Sequence, residues 1–78
     1  MNRIRYVLEW FELDPGDSFV GEEKVDITMH ELQKIYDSDE IMVAGYPVES
    51  KHVEELQKYA RHKIDLNQYD YFVTGRQA

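Results

Sequence analysis

The chain has no cysteine, which excludes a disulfide framework and any thiolate-ligated zinc site. It holds only four glycines, at positions 16, 21, 45 and 75, too scattered to cradle a phosphate group. No apolar run approaches the roughly 18 residues that a membrane span needs. Glu9 and Glu12 cut the one N-terminal stretch with the apolar character of a signal-peptide core. A cytoplasmic protein is the expectation. Basic residues are scarce as well: nine Lys and Arg stand against sixteen Asp and Glu, a net charge of −7. Nucleic-acid binding rests on cations that neutralise phosphates, so this balance argues against direct contact with nucleic acid. It argues equally against an anionic membrane surface. A basic protein is the partner it suits, although charge of this size also keeps a small domain soluble.

Signatures of chemistry are missing too. His52 and Glu55 lie one helical turn apart, but His30 and His62 are remote in sequence and no HExxH spacing occurs. No metal site and no cofactor is expected, and the histidines read as surface or helix-end residues. Ser18, Ser38 and Ser50 occupy turn or cap positions without the surroundings of a nucleophile. Among sixteen acids, neighbouring carboxylates are inevitable, and general acid–base work needs an enclosing pocket to shift them. The chain reads as a binding protein, not an enzyme.

What is present is one domain of 78 residues, 42% hydrophobic, with six Tyr, three Phe and one Trp. That content argues against disorder. A domain so short buries only about 60% of the surface its unfolded chain exposes. Period-two alternation over residues 3–12 places Ile4, Tyr6, Leu8 and Trp10 opposite Arg3, Arg5, Val7, Glu9 and Phe11, which predicts a strand. "DPGD" (14–17) predicts a turn. "SFVGEEKVDI" follows as a charged outer strand, with Phe19, Gly21, Glu23, Val25 and Ile27 on one side. Thr28 and Glu31 have the spacing of a capping box, and Ile27 and Leu32 that of a hydrophobic staple, so a helix is predicted over 29–37. Ser50 is placed to cap a second helix over 51–63, with Glu54 and Lys58 paired and Lys58, Arg61, His62 and Lys63 in its last turns. A last strand is predicted over 69–74, with Tyr69, Tyr71 and Val73 opposed to Asp70, Phe72 and Thr74. The fold class is α+β: a small antiparallel sheet, made of an N-terminal β-hairpin plus a C-terminal strand, with two helices on one face, roughly ββααβ.

The acids fall in two groups. Residues 9–26 hold seven against Lys24, and residues 37–55 hold six against Lys51. In the second group Asp37, Asp39 and Glu40 follow directly on a predicted helix end, where negative charge opposes the helix dipole. Helix capping therefore does not explain them. Ile41 to Val43 are expected to return to the core, and Tyr46-Pro47 to re-emerge as a rigid aromatic tip. Tyr36, Tyr59 and Tyr71 read as core rings with hydroxyls at the surface. Tyr46 and Tyr69 are equally suited to anchoring a partner, a role for which tyrosine is enriched.

The segments "RYVLEWFEL", "VGEE", "YPV" and "IDLNQYDYFV" span most of the chain. Together they resemble small acidic bacterial proteins that include toxin-immunity partners of bacteriocin or contact-dependent growth inhibition systems. The resemblance implies a cognate inhibitor that binds a toxic domain and protects the producing cell. Tyr46-Pro47 beside acids is also similar to the toxin-facing "YYP" patch of colicin nuclease immunity proteins. Those proteins are helical, so no residue role is transferred from them.

The resulting expectation is an immunity protein that occludes a basic toxin domain, a nuclease, in a 1:1 complex. Asp37, Asp39, Glu40 and Glu49 would pair with cations that otherwise hold phosphates, and Tyr46 and Tyr69 would supply anchors. Two alternatives stand beside it. One is an acidic nucleic-acid mimic that antagonises a defence protein with both acidic groups acting jointly. The other is a regulatory binding module. A homodimer through the outer hairpin strand is also open.

Overall fold

Strand alternation and one capping box account for most of the architecture. The computed structural model of the protein describes residues 4–13, 18–40, 42 and 44–77. Arg3, the expected turn over 14–17, and Ile41 and Val43 lie outside the described residues.

The first strand, β1 (Ile4–Glu12), turns Tyr6 and Leu8 into the core, both 1% exposed. β2 (Phe19–Val25) pairs antiparallel with it and forms one edge of the sheet, as its charges predict. The register runs regularly from Tyr6 opposite Val25 to Trp10 opposite Gly21, then slips so that Phe11 lies opposite Phe19. This bulge corrects one expectation. Phe19 leaves the side of Gly21 and Val25 and packs edge-on against Phe11, ring centroids 5.6 Å apart. Gly21 is required where it stands, because a Cβ there would come within 2.9 Å of the Trp10 indole.

Helix α1 (Met29–Ile35) begins on the capping box read from the sequence. Thr28 Oγ1 accepts the Glu31 N–H at 3.1 Å, and the Glu31 carboxylate accepts the Thr28 N–H at 3.0 Å. Ile27 and Leu32, the staple pair, are both buried. Next comes a strand absent from the expected order, β3 (Gly45–Pro47). Three residues are too few for alternation to show. Pro47 is tolerated because the strand lies at the sheet edge, where a missing N–H breaks no ladder.

Helix α2 (Ser50–Gln57) is shorter than predicted and starts differently. Glu49, not Ser50, is its N-cap. Its early end has a visible cause in the Gln57 side chain. The Gln57 amide nitrogen donates to the carbonyls of Ala60 (3.3 Å) and His62 (2.9 Å), and its oxygen accepts the Ile64 N–H at 2.8 Å. The Glu23 carboxylate accepts the N–H groups of Arg61 and His62. Side chains thus satisfy backbone groups that a continuing helix would have used. Lys58, Arg61, His62 and Lys63 therefore lie beyond the helix, and Lys58 pairs with Glu55 (3.1 Å), not Glu54.

The last strand, β4 (Tyr69–Gln77), outruns its predicted span and inserts between β1 and β3. The sheet is antiparallel with order β2-β1-β4-β3, and the chain runs ββαβαβ. The α+β class with two helices holds; the fourth strand is the addition. Leu32 and Leu56 join Tyr6, Leu8, Tyr71 and Val73 in one core cluster, so both helices cover the same face.

Within that core the Tyr6 hydroxyl donates to the Met42 carbonyl at 2.7 Å, joining β1 to the segment before β3. Burial raises the phenol above its ordinary pKa of 10.0, so it stays protonated as a donor. Tyr6→Phe leaves this carbonyl without its partner and is expected to cost about 1–3 kcal/mol in urea unfolding. An unchanged midpoint would show that water replaces the bond.

Candidate functional site

The acids at the end of α1 lie in a loop that is held from several sides. Tyr36 is the C-cap, and Asp37 adopts φ 52°, in the left-handed region. Ser38 N–H bonds the Gln33 carbonyl at 2.9 Å, and Asp37 N–H bonds the Lys34 carbonyl at 3.3 Å. This is a Schellman-type helix end with aspartate where glycine or asparagine is favoured. Two side chains then fix the loop beyond. Ser38 Oγ accepts the Glu40 N–H at 3.1 Å, and the Gln33 amide nitrogen donates to the Glu40 carbonyl at 2.7 Å. Asp37, Asp39 and Glu40 are exposed, and none of them forms an ion pair among the described residues. An open depression beside them is lined by His30, Gln33, Lys34, Asp37, Ser38 and Asp39.

An aromatic group backs this loop. Tyr36 stacks on His52 with centroids 4.1 Å apart and lies 5.9 Å from the Tyr46 ring, while its hydroxyl donates to the Pro47 carbonyl at 3.0 Å. Burial, with the Glu49 charge adding to it, holds the Tyr36 phenol strongly protonated. The expected aromatic tip is corrected here. Tyr46 lies on β3 opposite Val73, half-buried against the core, instead of projecting from the start of α2. Met42 is buried, in keeping with the expected return to the core. Glu49 is exposed and lies 3.8 Å from Lys51, a contact worth little in water.

Tyr69 belongs to another group. It begins β4 and packs near His62 and Tyr71, with Trp10 stacked on His62 at 3.9 Å. The Tyr71 hydroxyl accepts the Asp65 N–H and lies 2.6 Å from His62 Nε2. The structure thus sets Asp37, Asp39 and Glu40 together, with Tyr46 on β3 and Glu49 at the N-cap of α2, and gives Tyr69 a different set of neighbours. As expected, Tyr71 is core, and the Tyr36 and Tyr59 rings pack against the core with bonded hydroxyls.

In the first acidic group Glu9, Glu22 and Glu23 are committed to the fold, while Glu12 and Asp26 are exposed and form no ion pair among the described residues. Arg76 bridges Glu9 (2.9 Å) and Glu22 (2.8 Å), which raise its pKa, and Glu23 holds the turn after α2. His52 is a residue that sequence reasoning misplaced: it is 5% exposed, and its Nδ1 accepts the Glu49 N–H at 3.0 Å. Its signal was position, since the third residue of a helix is where a capping side chain reaches back. Phe11 and Phe72 form a second overlooked feature on the sheet face away from the helices, 5.8 Å apart. Their strand parity had already set them opposite the core. Among the described residues no three His, Asp or Glu side chains converge on a metal position, and no helix is long and apolar enough to cross a membrane.

The family model described as Domain of unknown function (DUF7683) matches residues 5–74, and the chain belongs to that family. No curated protein matches it.

Two measurements test the reading of this region. Asp37→Gly relieves a left-handed aspartate and removes a negative charge from a helix C-terminus, so thermal unfolding should show a gain of about 1 kcal/mol. Burial is the main cause that lowers the His52 pKa below its ordinary 6.5, with Lys51 adding to it and Glu49 opposing. The unfolded chain therefore takes up this proton first, and stability present above about pH 6.5 is lost as the pH falls. His52→Gln keeps an acceptor for the Glu49 N–H without titrating. Its melting temperature should fall less than that of the parent between about pH 7 and about pH 5. Parallel curves would show that His52 does not carry the effect.

Proposed function

We propose that this chain is an immunity protein, a cytoplasmic inhibitor that neutralises a basic toxin domain, a nuclease by the charge it would present, by 1:1 occlusion. The observation that carries the reading is the pinned loop whose Asp37, Asp39 and Glu40 carboxylates face solvent without internal cations among the described residues. Carboxylates held in place before binding lose little conformational freedom when a partner's Lys and Arg arrive. They also accelerate encounter with a basic surface. Retaining aspartate in a left-handed helix cap gives up stability, and a docking role supplies the reason. The neighbouring depression is open, which suits a protein surface better than an enclosed acid–base centre.

Nucleic-acid mimicry would use both acidic groups together. Glu9, Glu22 and Glu23 are instead engaged by Arg76 and by backbone N–H groups of the loop after α2. That commitment takes three of the N-terminal carboxylates out of a joint surface and favours docking through the 37–40 loop.

Capture on the tagged chain, from the strain that encodes it, should recover one basic protein at 1:1 stoichiometry. With that protein in hand, Asp39→Lys combined with Glu40→Lys should slow association about tenfold or more at low salt and flatten its salt dependence. Unchanged association kinetics would remove the loop from the interface. Recovery of several unrelated basic proteins would favour mimicry.

A further inference from the structure

We draw no further inference here: the strongest candidate, the groove lined by Phe11, Asp70 and Phe72 on the sheet face away from the helices, carries nothing because nothing in the structure shows what covers it.

Discussion

A core built on tyrosine has to find a partner for every hydroxyl it buries, and this constraint organises most of the connections between elements. Tyr6 reaches the Met42 carbonyl and fixes the segment that leads to β3. Tyr71 accepts the Asp65 N–H and contacts His62, which holds the turn before β4. Tyr36 bonds the Pro47 carbonyl at the other end of α1, and Tyr59 donates to Glu31, tying α2 to the cap of α1. The described residues contain no buried side-chain nitrogen or oxygen without a hydrogen-bond partner. In a domain this small, apolar burial alone leaves a narrow margin, and an unpartnered hydroxyl would consume much of it. Each ring therefore works twice, as apolar volume and as a fastener between loops.

Charge is distributed by a similar logic. Four acids of the N-terminal half are neutralised or hydrogen-bonded within the fold: Glu9 and Glu22 by Arg76, Glu23 by the turn after α2, Glu31 by Thr28 and Tyr59. Those at the end of α1 are not. They occupy a helix terminus whose dipole disfavours them, with one in a backbone conformation that disfavours its side chain. Two independent physical penalties at one loop separate it from the other acids of this sheet and make it the natural place to look for a partner.

Much of the fold was legible because its signals are local. Alternation identified β1, β2 and β4 and assigned Tyr6, Leu8, Tyr71 and Val73 to one side; the Thr28–Glu31 box located the start of α1. What escaped depends on contacts distant in sequence. β3 exists because β4 offers it a ladder, and no three-residue pattern announces that. α2 ends at Gln57 because Glu23, 38 residues before Arg61, captures the backbone that follows. The bulge that sends Phe19 to the far face is a property of the strand pair, not of either strand. At the candidate site the acidic character of residues 37–40 was plain from composition. The left-handed Asp37, the bracing by Gln33 and the half-buried position of Tyr46 were not, since each requires the three-dimensional path of the chain.

The two central strands of the sheet, β1 and β4, are the first and last in the chain. During synthesis on the ribosome β1 emerges early and finds β2 at once, but its other edge waits until some 60 further residues have been made. Until then Leu8 and Tyr6 have half a floor and no neighbour on the β4 side, so the nascent domain is an open hairpin with an apolar flank. Closure comes in a single late step, when β4 slots between β1 and β3 and brings Tyr71 and Val73 into the core. A ribosome that stalls before that point holds a product prone to capture by chaperones. A chain that stops short of β4 keeps that apolar flank open, and only the last strand seals it.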